Sequence, residues 1–278
     1  MQKDVLAKLK SIIDPVYLVG GAVRDLLLGN ITEDFDFATP LLPDSVIAQL
    51  EVAGRMVDLT GKEYGSVSSQ IDGHHLEITT FRKDTYTPGS RKPQVIFITD
   101  LEEDLGRRDF TINAIAFDGE GYIDPFNGRA DLAAKTLRSL GNPDQKFQED
   151  PLRILRAIRF VGQLGLTIEE ETSLALARQV ESLQEISHER WSQELDKLLI
   201  TDHVADALVA AEHHGVTAQV LPDLKIEVTE SWNRADSLEK RWADLIRASH
   251  FELEEMAQNL RWSRVQTTVV RQHLDTAR

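Results

Sequence analysis

The order of hydrophobic periodicities constrains this 278-residue chain more than any other feature. Before about residue 140, short β-rich runs are interleaved with helical stretches; from about Glu149 the strand signals stop. PVYLV, FDFAT, MVDL, SVSSQI and HLEITTF read as strands, since β-branched and aromatic residues alternate or cluster over short lengths. Between them, AVRDLLLG reads as a helix stopped by Gly29, and a second helix is expected from Pro43 to about Ala53. KDTYTPGSRKP reads as a polar loop. The later part is a succession of apolar-periodic stretches: PLRILRAIRFVGQL, EETSLALARQV, HERWSQELDKLLI, HVADALVAAEHHG, SLEKRWADLIRAS and SRVQTTVVRQHL. Strands first and helices after predict an α+β chain, a mixed head followed by an all-helical part.

Hydrophobic content of 41% suffices for a folded core, and no apolar run is long enough to span a membrane. The start, MQKDVLAKLKSII, reads as an amphipathic helix rather than a signal peptide. Cysteine is absent, so disulfides, thiolate metal sites and cysteine nucleophiles are excluded. These features fit a cytoplasmic protein. Net charge is −15, which argues against nucleic-acid binding by bulk electrostatics. Any such binding has to rest on local basic clusters. Three are candidates: Arg107-Arg108; Arg153, Arg156 and Arg159; and Arg261, Arg264, Arg271 and Arg278, a segment with only Asp275 as counter-charge. Each is also open to reading as a solvated face balanced by neighbouring acids. His74-His75 and His213-His214 lack the His-Asp pairing of a phosphohydrolase and are expected at the surface.

Asp34 and Asp36 flank Phe35 in the FDFAT strand region. Side chains two residues apart on a strand share a face, about 7 Å apart along it. Two carboxylates there repel unless a cation sits between them. Mg²⁺ takes hard oxygen ligands, commonly one or two carboxylates plus substrate phosphates. Glu77, in LEI, is a third strand acid; if its strand neighbours the first, the three converge on a two-metal centre. The alternative is a strand with one wet face. Upstream, Gly20-Gly21 ends a strand and opens a helix, where backbone N–H groups attract anions. Arg24 falls in the first helical turn, within reach of the same anion or of Asp25 or Glu33.

Two further segments carry chemistry. In RRDFTINA, Asp109 is open to reading as the N-cap of a helix starting FTINAIAF. In Glu149-Asp150-Pro151-Leu152-Arg153, a carboxylate that only accepts stands near a guanidinium that only donates. Cytosine and adenine both present an amino donor beside a ring acceptor, whereas uracil and guanine present the reverse. Asp150 with Arg153 therefore suits C and A and rejects U and G, without a nucleic-acid template. The alternative is that Asp150 caps a helix whose first residue is Pro151.

Taken in order, LVGGAVRDLLLGNITEDFDFAT, RRDFTINA, DPFNGRADL and EDPLR resemble the motifs of the class II tRNA nucleotidyltransferase and poly(A) polymerase family, within the DNA polymerase β-like superfamily. They cover roughly the first 165 residues, and their shared order is far more specific than any single short match. HERWSQELDKLL and LPDL (Leu221 to Leu224) resemble later family segments more loosely. The resemblance implies that Gly20, Gly21 and Arg24 hold a triphosphate and that Asp34 and Asp36 bind catalytic Mg²⁺, with Mn²⁺ as the other candidate, beside Glu77. It places Arg108, Asp109 and Asn113 around the ribose and phosphates, where a 2′-hydroxyl is recognised. It assigns Asp150 and Arg153 to the base, with Arg156 and Arg159 as further nucleotide-site candidates. DPFNGRADL is expected to be architectural, with Pro125 and Gly128 in a turn and Asp131 near a helix start.

The implied organisation is a polymerase β-like head with a small mixed sheet at 1–139, a helical neck at 140–200 and a short helical body at 201–278. Many relatives continue through a longer body and tail; here the last helices are expected to serve as a compact tRNA grip. The implied reaction is addition of C and A to the tRNA 3′ end from CTP and ATP, releasing pyrophosphate, with no membrane or protein partner. LTGKEYGSV looks like the CCA-type segment, although Tyr64 stands where histidine is frequent. TFRKDTYTPGSRKP has the length expected of CCA- or A-adding members. Alternatives are A-only, CC-only or poly(A) activity, or a silent RNA-binding protein.

Overall fold

A computed structural model describes residues 1–32, 34–85, 94–221, 232, 237–249 and 251–276. The chain divides into two compact units, Met1–Ala134 and Lys135–Arg278.

The first unit opens with α1 (Gln2–Lys10), β1 (Tyr17–Val19), α2 (Gly20–Leu28), β2 (Asp34–Thr39) and α3 (Pro43–Val52). Next come β3 (Val57–Asp58), a 3₁₀ turn (Lys62–Tyr64), β4 (Ser66–Ile71), β5 (His74–Thr80), β6 (Arg82–Thr85) and β7 (Gln94–Phe97). It closes with α4 (Leu101–Gly106), a 3₁₀ turn (Thr111–Asn113), β8 (Ala116–Phe117), β9 (Tyr122–Ile123) and α5 (Gly128–Ala133). Seven strands form a mixed sheet in the order β3-β4-β5-β2-β1-β8-β9. β2 and β5 run parallel, while the other neighbours are antiparallel. The period-2 pattern of β2 buries Phe35 and Phe37 and leaves Asp34 and Asp36 on the open face. Val5, Leu6 and Leu9 of α1, Val23 of α2 and Val46 and Leu50 of α3 join those two rings in one core. One face of the sheet is thus sealed by apolar helices, and the other is free for polar chemistry.

Several expectations need correction here. The MVDL strand shrinks to two residues, Val57 and Asp58. Lys83–Thr85, expected in the polar loop, belong to β6, which pairs with β7 as a separate two-stranded sheet; residues 86–93 of that loop lie outside the described residues. FTINAIAF forms no helix: one 3₁₀ turn gives way to β8. The reason lies in DPFNGRADL, which presses against that turn. Asp124 accepts from the N–H groups of Gly128 and Arg129 (2.7 and 3.0 Å), and Thr111 donates to Asp131 (2.7 Å). A Cβ on Gly128 would lie 2.1 Å from the Thr111 carbonyl oxygen. Only glycine permits that approach. Gly128→Ala is expected to destabilise the protein by about 3 kcal/mol, as overpacking against rigid backbone does. Unchanged thermal unfolding would remove this account of the turn.

The second unit contains β10 (Thr136–Leu137), α6 (Pro143–Glu149), α7 (Leu152–Leu164), β11 (Thr167–Ile168), α8 (Glu170–Gln179) and a 3₁₀ turn (Val180–Glu185). Then follow α9 (His188–Leu199), α10 (Val204–His213), α11 (Val216–Val220), α12 (Leu238–Arg247), α13 (Leu253–Asn259) and α14 (Arg264–Thr276). α7 packs on α9 and α10, α6 on α8, and α12 on α14. Gly162 lets α7 approach α10, since a Cβ there would meet Ala207 at 3.0 Å. Trp242, fully buried, donates to Asp196 (2.7 Å) and ties α12 to α9. Burial pushes the Asp196 carboxyl up, opposed by the bonds from Trp242 and Gln266.

The parallel pair β10–β11 is the exception to an all-helical second part. His214 is buried rather than at the surface: its ring bonds Ser173 (2.8 Å) and the Ala210 carbonyl (2.8 Å), locking α10 to α8. Arg271 pairs with Glu254, a counter-charge from outside its own segment. Arg278 and Pro222–Leu224 of LPDL lie outside the described residues. Among the described residues, no helix is long and apolar enough to cross a membrane.

Candidate active site

Strand pairing sets the acidic face of the first unit. In the parallel β2–β5 register, Asp36 stands level with Glu77 and Asp34 with His75. Laterally paired residues share a face, so Asp34, Asp36 and Glu77 all project from the open side. Asp36 keeps an opening to solvent, yet protein atoms crowd it on the remaining sides. Its carboxyl is pushed above its ordinary value, first by desolvation and then by the charges of Glu77 and Asp34; Arg108 and Arg24 pull the other way. Among the described residues, no three acids or histidines already stand at metal-holding distance. The three carboxylates share a face without forming a closed cage. The donor set nevertheless fits Mg²⁺, which takes one or two carboxylates and fills its octahedron with phosphates and water.

Beside Asp36 lies the glycine turn. Gly20 has φ +64° and begins α2, so the strand hands over directly to a helix N-terminus. A Cβ on Gly20 would sit 3.1 Å from Arg108 Nη1 and 3.2 Å from Asp36 Oδ2. The missing side chain therefore leaves a notch walled by a guanidinium, a carboxylate and the first amides of α2. Positive helix-end dipoles beside an arginine suit an anion, and the carboxylate beside them suits a cation.

Arg24 is buried, with Nη2 3.5 Å from where a Cβ on Gly21 would lie, donating to Asn113 (2.9 Å) and pairing with Asp25 (3.4 Å); Glu33 lies outside the described residues. Asn113 in turn donates to Asp109 (2.9 Å), which also accepts from the Phe110 N–H (2.8 Å). Asp109 thus holds the turn and the Arg24–Asn113 pair together. Arg108 is half-buried, and loss of solvent around it lowers its guanidinium pKa, while the carboxylate of Asp104 is the strongest influence in the other direction. Asp104 was missed from sequence; its only signal was its place one helical turn before Arg108.

In the second unit, Asp150 is the extended hinge between α6 and α7. It accepts from the Leu152 N–H (3.2 Å) at the start of α7, whose first residue is Leu152 rather than the expected Pro151. It also pairs through both oxygens with Arg190 of α9 (3.3 Å each). Arg153, one turn on and 7% exposed, donates to Glu149 (3.1 Å) and to the Lys146 carbonyl (3.0 Å). Glu149 with Arg153 and Asp150 with Arg190 thus make two adjacent ion pairs. Arg190 was missed, although its HERWSQELDKLL segment had been noted. Arg159 is bound to Glu194 (2.7 Å) and stacks over Phe160 (4.4 Å); Arg156 lies 5.6 Å from the same ring.

Comparison with known proteins bears on both units. Residues 16–138 match the model of the poly A polymerase head domain. Residues 165–227 match that of a probable RNA and SrmB-binding site of polymerase A. The crystal structure of the Bacillus stearothermophilus CCA-adding enzyme in complex with CTP superposes with a TM-score of 0.86 at 34% identity, covering 99% of this chain and 68% of that one. The chain belongs to the tRNA nucleotidyltransferase and poly(A) polymerase family.

A family member crystallised as a tRNA nucleotidyltransferase with a primer tRNA and an incoming ATP analog gives a TM-score of 0.74 at 26% identity, covering 98% of this chain and 82% of that one. In sequence, the CCA-adding enzyme of Geobacillus kaustophilus is 41% identical over 241 residues, 84% of this chain and 58% of the relative. The CCA-adding enzyme of Streptococcus mutans is 46% identical over 197 residues, 70% of this chain and 48% of the relative. The chain thus spans less than two thirds of the length of these two CCA-adding enzymes.

Proposed function

We propose that this protein adds C and A to the 3′ end of tRNA from CTP and ATP, releasing pyrophosphate. The observation that carries the reading is the notch at Gly20, with Asp36 on one side and Arg108 on the other. It pairs a phosphate cradle with a carboxylate face, the two parts that nucleotidyl transfer needs.

In this reading the α2 N-terminus, Arg24 and Arg108 hold the triphosphate, and Asp109 and Asn113 meet the ribose. Asp34 and Asp36 would hold Mg²⁺ or Mn²⁺. When bound, the cation would lower the pKa of the RNA 3′-hydroxyl and offset charge on the leaving pyrophosphate. The 3′-oxygen bonds to the α-phosphorus, and the bond from that phosphorus to the α–β bridging oxygen breaks. In this reading Glu77, level with Asp36, takes the hydroxyl proton. Charged groups fixed before substrate arrives need no reorganisation during transfer. Asp150 and Arg153 select the base by offering acceptors and donors in the order that C and A complement. The neck carries this role, the last helices contact tRNA, and the reaction belongs in the cytoplasm, where tRNA matures.

Arg190 orients Asp150 in this reading. Arg190→Ala is expected to raise KM for CTP several-fold with little loss of stability, since an exposed ion pair contributes about 0–1 kcal/mol. An unchanged KM would remove Arg190 from the site.

The deciding experiment supplies the protein and Mg²⁺ with tRNA transcripts ending before CCA, after C and after CC. Each receives CTP, ATP or both, and products are resolved to single nucleotides. Extension of the shortest transcript to CCA followed by arrest is expected. Arrest at CC, addition of A alone, or a run of A would replace the reading by a CC-only, A-only or poly(A) enzyme. No extension by folded protein would leave an RNA-binding protein without transfer activity.

A further inference from the structure

A chain of alternating charges runs from the β6–β7 pair to the notch. Arg82 Nε pairs with Asp84 Oδ1 (3.1 Å), and Asp84 Oδ2 with Arg107 Nη1 (3.4 Å). Arg107 Nε donates to Asp104 Oδ1 (2.9 Å), which also accepts from the backbone N–H of Arg82 (3.1 Å). The other oxygen, Asp104 Oδ2, faces Arg108 Nη2 at 3.5 Å, and Arg108 reaches the Gly20 notch with Nη1. Asp104 is the node: one carboxylate, 1% exposed, holds the first residue of β6 and both arginines of RRDF.

Its two oxygens are not used alike. Oδ1 has two hydrogen bonds, whereas Oδ2 is buried with no hydrogen-bond partner and acts on Arg108 by charge alone. A buried carboxylate oxygen left in this way is costly. The contact holds the guanidinium by charge and leaves its N–H groups, buried Nε among them, unspent on Asp104.

We propose that Asp104 is a positioning residue for Arg108, and that it couples the β6–β7 pair to triphosphate binding at the Gly20 notch. This rests on the reading of that notch as a nucleotide triphosphate site. Asp104 holds Arg108 in the orientation that meets the triphosphate, and nucleotide on Arg108 in turn steadies Asp104 on Arg107 and the Arg82 N–H. Nucleotide and β6 are then linked, each favouring the same arrangement of Asp104.

The test is a double-substitution cycle on the full chain, with Mg²⁺-CTP as the probe and Kd measured by calorimetric titration. Asp104→Asn and Arg108→Gln are each expected to weaken binding about tenfold, the loss of one charge-assisted contact. If Asp104 acts through Arg108, the double variant binds within about twofold of the weaker single one. Losses that multiply to about a hundredfold would mean that Asp104 serves the fold independently of Arg108, and would overturn the proposal. So would an unchanged Kd in Asp104→Asn. An unsubstituted protein that binds no CTP would overturn the reading of the notch and this inference together; binding with multiplying losses would overturn the inference alone.

A second measurement needs no change at Asp104, should its substitution prevent folding. Amide exchange at Arg82 is expected to slow when the unsubstituted protein is saturated with Mg²⁺-CTP, and not to slow in saturated Arg108→Gln. The same exchange rate with and without nucleotide would overturn the coupling.

Discussion

Asp36→Asn is expected to lower nucleotide incorporation by at least about 10³-fold while leaving the protein folded and raising its melting temperature at neutral pH. Asn keeps the shape of the side chain but not the charge that attracts a divalent cation, so transfer loses its main electrostatic support. The stability effect has the opposite sign because Asp36 is held against its preference. Desolvation, then the charges of Glu77 and Asp34, raise its pKa above the ordinary 3.8. A carboxyl raised on folding contributes its stability fully below the unfolded value, and that contribution is lost as pH rises through the folded value. At pH 7 the ionised group therefore weighs against the fold, and Asn removes the weight. The gain should vanish in acid, below pH 3.8, where Asp36 is neutral in both states. Incorporation assays and thermal melts at two pH values check both halves. Retained incorporation would remove Asp36 from the metal site. A lower melting temperature at pH 7 would mean that its contacts outweigh the repulsion.

Arg153→Lys is expected to reduce kcat/KM for CTP and ATP by about 10²-fold and to shrink discrimination against UTP by a comparable factor. The charge survives, so a role resting on charge alone would survive with it. What is lost is the planar fork. Arg153 donates to Glu149 and to the Lys146 carbonyl from one side of the guanidinium. In the proposed reading this anchoring fixes the plane that is offered to the base. A lysine ammonium has no such plane. Competition assays with CTP and UTP give the ratio directly. A variant with lowered stability but unchanged discrimination would assign Arg153 to the neck's architecture and leave base choice to other groups.

The sequence by itself determined what depends on local periodicity and short-range chemistry. The alternation in FDFAT placed Phe35 and Phe37 in the core and Asp34 and Asp36 on the open face, and β2 has that pattern. Gly29 ended α2 in the left-handed conformation that glycine adopts readily. The order of motifs was enough to recognise the family. What only the tertiary structure decided depends on which elements meet. That Glu77 stands level with Asp36 is a fact of β2–β5 pairing, and no local pattern encodes strand order. FTINAIAF has a plausible helical reading, overridden because α5 presses on its first turn through Gly128. His214 looked like a surface residue until α8 supplied Ser173. Asp104 and Arg190 drew no notice because each has its meaning in a partner's charge, Arg108 for one and Asp150 for the other. Periodicity sets the face on which a side chain lies; packing sets its neighbours, and in a site built of charges the neighbours decide the chemistry.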